Sequence, residues 1–157
     1  MPDAPPAALP AVEDLIPHRG RFRLIDRLVR LEGQTVEAVG TFTVDHCDGH
    51  FPDRPVVPGV LLLEALAQTM LCAHVTLVEG GVDGLAGDGG PTPFLAGFEK
   101  VRFRAPVLPP AEVRYSVTLK EERFGLVTAS GEARVDGRRV CTARLTAGIL
   151  PDPAQGA

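Results

Sequence analysis

Between Val56 and Met70 runs an apolar stretch, Val-Val-Pro-Gly-Val-Leu-Leu-Leu-Glu-Ala-Leu-Ala-Gln-Thr-Met, that limits what this chain can fold into more than any other. Pro58 suits the first position of a helix, where a missing N–H costs nothing. Good helix formers follow in Leu61, Leu62, Leu63, Ala65, Leu66, Ala67, Gln68 and Met70. The run is apolar on nearly every side, so the helix has to be surrounded by other elements rather than laid on a surface. Pro58, Gly59, Glu64 and Gln68 interrupt it, which argues against a membrane span. Glu64 stands in its middle. A carboxylate among leucines must be paired, hydrogen-bonded or held protonated. Such burial is one way a protein keeps an acid ready near neutral pH.

The segment before the helix is Gly49-His50-Phe51-Pro52, and Pro55 and Pro58 come soon after. So many prolines exclude regular helix and central strand. The segment reads as a stiff loop that presents His50 in a set place. An imidazole on a rigid loop and a carboxyl group on a buried helix are a candidate base and a candidate acid. Gly59, at the helix start, has a backbone N–H that can face a polarised carbonyl oxygen. Taken singly, a loop histidine is usually a surface residue and a buried Glu is as often a structural group. The two together, at this spacing, favour chemistry. Gln68 lies one turn after Glu64 on the same face and either orients it or only packs.

With these residues in view, the chain resembles the FabZ-type beta-hydroxyacyl-acyl-carrier-protein dehydratases. The match takes in Gly49, His50, Phe51, Pro52, Pro55, Pro58, Gly59, Val60, Leu61, Glu64, Ala65, Ala67 and Gln68. The related FabA type has Asp where this chain has Glu64. The entry motif is similar at Pro17, His18, Arg19, Phe22, Leu24, Asp26 and Arg27, with Arg21 and Arg23 departing from the usual Pro and Leu. Ala96, Gly97, Arg102, Phe103, Pro106 and Val107 continue it, while Asp53 replaces a usual Gly and Pro109-Pro110-Ala111 a usual Pro-Gly-Asp.

The resemblance implies elimination of water from a (3R)-hydroxyacyl thioester to give a trans-2-enoyl thioester. His50 would be the base, Glu64 the acid, Gly59 the carbonyl-polarising group, and Phe51 and Gln68 supporting residues. No cofactor and no metal are implied. The implied partner is an acyl carrier protein bearing its acyl chain on a phosphopantetheine arm. Further implied is a homodimer or a higher assembly, such as a hexamer built as a trimer of dimers, with His50 of one chain meeting Glu64 of the next.

Around this centre, period-two alternation predicts strands over Phe22 to Leu31, Thr35 to Val44, Phe94 to Arg104, Glu112 to Lys120, Leu126 to Val135 and Arg139 to Leu150. Asp136-Gly137 is a hairpin signal. Val12 to Ile16 suggests a short helical turn. Residues 1–10 read as a loose tail, 11–150 as the folded domain and 151–157 as a second tail; the glycine-rich stretch Gly80 to Pro93 reads as a surface loop. One long helix with mostly later strands is an α+β pattern. The resemblance sharpens it to a single hotdog fold, a curved antiparallel sheet wrapped around a central helix. Phe51, Val57, Leu61 and Phe98 are candidates for an acyl tunnel, though core packing is the commoner explanation for each.

With 45% hydrophobic residues in 157, one core is within reach. A formal net charge of -4 argues against nucleic-acid binding. Basic residues are nonetheless uneven, and Arg19, Arg21, Arg23, Arg102 and Arg104 are either a solvated face or a docking surface for an acidic carrier protein. Three scattered cysteines without a Cys-x-x-Cys fit free thiols in a reducing compartment. Without a basic-then-apolar leader, a cytoplasmic location is expected. His46, Cys47, Asp48 and His50 match no zinc spacing. Two alternatives remain open on the same fold: an acyl thioesterase and a non-catalytic acyl-binding protein.

Overall fold

Side chains that alternate between core and solvent build most of the sheet. The computed structural model describes residues 8–77 and 92–150. Its strands are β1 (Arg27–Glu32), β2 (Thr35–Phe42), β3 (Thr92–Phe103), β4 (Ala111–Arg123), β5 (Leu126–Val135) and β6 (Arg138–Leu150). All neighbours pair antiparallel, in the order β1-β2-β4-β5-β6-β3. Val36, Ala38 and Phe42 on β2, Val113, Tyr115, Val117 and Leu119 on β4, and Ala129 and Ala133 on β5 are buried at period two. They face the long helix α2 (Gly59–Leu77), which packs chiefly on β4 and then on β2. A short helix α1 (Val12–Leu15) closes one side, burying Val12 and Leu15. The result is the expected α+β hotdog arrangement.

The helix is buried on several faces because its sequence leaves it no polar side. Leu62, Leu63, Ala65, Leu66, Met70, Cys72, Ala73 and Val75 are all in the core. Each large one contributes about 1.5–3 kcal/mol of burial. Gly131 on β5 lets α2 come close: a Cβ there would lie 3.1 Å from Leu66 Cδ2. Among the described residues α2 alone is long and apolar enough to cross a membrane, and 67% of that stretch is buried inside the fold, as a core helix would be.

Several boundaries move from those the sequence suggests. The strand expected from Phe22 starts only at Arg27, because Gly20–Phe22 coil into a single tight turn. The Leu24 N–H there goes to the Gln68 side chain on α2 rather than to a strand. The second strand stops at Phe42, where Thr43 and His46 cap each other across the turn Val44–Cys47, leaving Val44 outside the core. Pro58 immediately precedes α2, and its carbonyl accepts the Leu61 N–H. Strand β4 runs on to Arg123 and turns at Phe124-Gly125, where both residues have positive φ. Asp136-Gly137 makes the same kind of turn, as expected. Thr92 and Pro93, read as loop, belong to β3. Residues 80–91 of that expected loop, residues 1–7 of the first tail and the tail at 151–157 lie outside the described residues.

Strand β3 ends the sheet on one side and keeps apolar side chains exposed, among them Phe94, Leu95 and Phe103. Exposed apolar edges of this kind are rare on surfaces that stay free.

Candidate active site

Three prolines, Pro52, Pro55 and Pro58, would not by themselves hold this loop still; backbone bonds complete the task. The His50 N–H donates to Cys47 O at 2.7 Å and the Val56 N–H to His50 O at 2.8 Å. Phe51 and Arg54 exchange backbone bonds at 3.2 and 3.1 Å, and the Val57 N–H ties the far end of the loop to Val107 O at 2.9 Å. The imidazole is held as well. His50 Nδ1 lies 2.8 Å from Val56 O, and a carbonyl can only accept, so Nδ1 carries the hydrogen. Nε2 is then left with its lone pair, the state a base requires. The ring also stacks on Phe51, with centroids 4.3 Å apart.

Glu64 is half-buried rather than enclosed among leucines: 22% of its side chain is exposed, because its face of α2 opens on a cavity. Gln68, one turn on, is buried and fully engaged. Its Nε2 donates to Glu64 Oε1 at 3.1 Å and to Phe22 O at 2.6 Å, and its Oε1 accepts the Leu24 N–H at 2.9 Å. Gln68 therefore orients Glu64 and also clips α2 to the entry segment. His18 Nε2 stands 3.5 Å from the same Glu64 oxygen. In the sequence, only the entry motif sets His18 apart.

The cavity measures about 470 Å³, within the usual range for a small-molecule site. Glu64, His18 and Gln68 stand in its wall, and Phe22, Met70, Leu71, Phe94 and Ile149 supply apolar lining. Phe51, Val57, Leu61 and Phe98 do not line it. Val57 is in the core and Phe51 is exposed on the His50 loop. Nor does His50 reach the cavity, and among the described residues no hydrogen bond or ion pair joins it to Glu64. One chain thus holds the two groups apart. Gly59 opens α2, where the first N–H groups lack intrahelical acceptors. A Cβ on Gly59 would lie 2.8 Å from the Phe103 ring, so a side chain there requires that ring to shift.

The arginines divide. Arg19 donates to the carbonyls of Glu13, Ile16 and His18, and Arg23 pairs with Glu13 at 2.7 Å, so both guanidinium groups serve the entry segment. Arg21 is exposed and lines a second depression beside the His50 loop. Arg102 and Arg104 are exposed at the end of β3, and Arg102 donates to Val101 O. His46, part of the imagined metal cluster, is used as a cap by Thr43. Among the described residues no group of three or more His, Cys, Asp or Glu side chains is placed to hold a metal ion.

The family model of the FabA-like domain matches residues 16–144. The chain belongs to the FabA-like family. Within it, the chain is 42% identical over 134 residues to the 3-hydroxyacyl-[acyl-carrier-protein] dehydratase FabZ of Roseiflexus sp. (strain RS-1), covering 83% of this chain and 88% of that protein. It is 38% identical over 138 residues to the FabZ dehydratase of Shewanella woodyi, covering 85% and 86%. Among solved structures, the dehydratase heterocomplex ApeI:P from Xenorhabdus doucetiae superposes with a TM-score of 0.71 at 18% identity, over 94% of this chain and 95% of that one. At that identity the likeness concerns the fold, which is the same hotdog arrangement of sheet and helix.

Proposed function

We propose that this FabA-like chain is a 3-hydroxyacyl-[acyl-carrier-protein] dehydratase, a hydro-lyase of fatty acid or related acyl-chain synthesis. The observation that carries the chemistry is Glu64, a carboxyl group oriented by Gln68 at the wall of an apolar cavity. His50, with Nδ1 committed to Val56 O, has Nε2 free to take a proton. The thioester carbonyl accepts a hydrogen bond from the Gly59 N–H, which acidifies the adjacent carbon. His50 removes the C2 proton, and Glu64 gives its proton to the 3-hydroxyl, which leaves as water. The electrons of the C2–H bond become the double bond of the trans-2-enoyl product. His50 is then protonated and Glu64 ionised; return of that proton resets the pair. Only protons move, so the elimination itself requires no redox partner.

Since one chain keeps His50 away from Glu64, the working site is assembled from two copies. The free edge of β3, with Phe94, Leu95 and Phe103 exposed, and Val60, 67% exposed at the start of α2, offer an apolar face for the second copy. The substrate is an acyl chain delivered by a carrier protein, for which Arg21, Arg102 and Arg104 retain exposed charge.

The deciding experiment supplies a 3-hydroxyacyl thioester on a carrier protein and follows the enoyl product by mass and ultraviolet absorbance. Loss of water that disappears in His50→Ala and in Glu64→Gln is the expected result. Release of free acid and thiol would replace this reading with a thioesterase, and binding without turnover would replace it with an acyl-binding role.

A further inference from the structure

The second histidine of the cavity is the less expected one. His18 is mostly buried, lines the wall beside Glu64 and lies near-parallel to the Phe22 ring, with centroids 6.1 Å apart. Its Nε2 is 3.5 Å from Glu64 Oε1, at the limit of a hydrogen bond, and its Nδ1 is buried without a partner. Contacts in a site without substrate are often long and tighten when it fills. The amide of Gln68 has no freedom: its oxygen meets the Leu24 N–H and its nitrogen meets Phe22 O, so the same nitrogen must donate to Glu64 Oε1. Two nitrogens therefore converge on one carboxyl oxygen.

We propose that His18 is a positioning residue that, together with Gln68, holds Glu64 Oε1 as an acceptor and so places the acidic proton on Oε2. The inference rests on the dehydratase reading, in which Glu64 is the acid. A hydrogen on His18 Nε2 donates to Oε1, whereas a hydrogen on Nδ1 would be a buried donor with no acceptor and would set two lone pairs against each other. The Nε2–H tautomer is the one this arrangement supports. Its consequence is economy of motion: the acid does not have to rotate to present its proton, so the loss of His18 lowers the rate of the chemical step rather than substrate capture.

The test uses the full-length protein with a 3-hydroxyacyl carrier-protein substrate. His18→Leu removes the donor, and His18→Gln keeps an N–H at nearly the same distance from the backbone. Expected is a drop in kcat of about 10–100-fold for His18→Leu with KM within about twofold, and recovery of most of that loss in His18→Gln. Equal losses in both variants, or losses that follow the thermal midpoint, would overturn the proposal. Long-range proton–nitrogen correlation spectra of the wild-type imidazoles give a readout independent of turnover. A hydrogen on Nε2 of His18 supports the proposal and a hydrogen on Nδ1 overturns it. Absence of turnover in the wild-type protein would remove the dehydratase reading and with it the assignment of Glu64 as acid; unchanged wild-type turnover with a silent His18→Leu would remove the His18 proposal alone.

Discussion

Single residues show how narrowly the fold is tolerated. Gly40 sits in the middle of β2, and a Cβ there would lie 2.0 Å from the carbonyl oxygen of Leu24. Backbone is the obstacle, so no rotamer change relieves the clash. Gly40→Ala is expected to cost about 2–4 kcal/mol, seen as a lower urea midpoint with an unchanged slope. The cysteines give a second prediction. Cys47, Cys72 and Cys141 are buried free thiols. Burial raises the pKa of all three, to about 12 for Cys72 and about 11 for Cys141, from an ordinary value of 9.0. The unfolded chain therefore gives up these protons first as the pH rises. Their contribution to stability is complete below pH 9.0 and is lost as the pH climbs toward 11 and 12. Alkaline denaturation that sets in above pH 9.0, with thiol reagents slow on the native protein and fast in denaturant, is the expected behaviour.

Elements depend on contacts that join them. Gln68 links α2 to the entry segment through Leu24 N and Phe22 O, besides its bond to Glu64. Gln68→Leu keeps the volume but leaves a buried N–H and a carbonyl without partners. A loss of about 2–4 kcal/mol is expected in denaturant titration, with turnover falling as well because Glu64 loses its orienting donor. His18→Leu, by contrast, is expected to spare stability. The comparison separates a residue that holds two elements together from one that acts on the carboxyl group. Leu66, fully buried on α2 and seated over Gly131, is a third case: Leu66→Ala should cost about 2–5 kcal/mol by opening a cavity between helix and sheet.

The whole molecule is the scale at which the proposed site becomes complete. If His50 and Glu64 act across two chains, mixed dimers of two dead variants recover function. A dimer of one His50→Ala chain and one Glu64→Gln chain has one intact pair and one doubly damaged pair. Equal amounts, unfolded and refolded together, should regain about a quarter of wild-type activity, since half of the dimers are mixed and each has one working site. No recovery on refolding would place the pair within one chain. Val60→Asp, on the exposed first turn of α2, is expected to shift the protein toward monomer in sedimentation and to lower turnover although neither reacting group is changed.

Much of this protein is written locally. The apolar run from Val60 to Met70 determined a buried helix, Asp136-Gly137 determined a hairpin, and the alternation of Val113, Tyr115, Val117 and Leu119 determined a half-buried strand. His50 and Glu64 stood out as candidates for the same reason, a stiff loop and an apolar helix whose character lies in neighbouring residues. Tertiary structure alone decided that the strand entry opens as a turn, that Leu24 bonds to a side chain 44 residues away, and that His18 rather than His50 stands next to Glu64 within one chain. It also decided that the cavity is lined by Phe22, Met70, Leu71 and Phe94 in place of the apolar residues near the loop. Backbone preference and side-chain period act over a few residues, whereas these pairings arise only when α2 and the sheet have packed and brought distant segments to one wall.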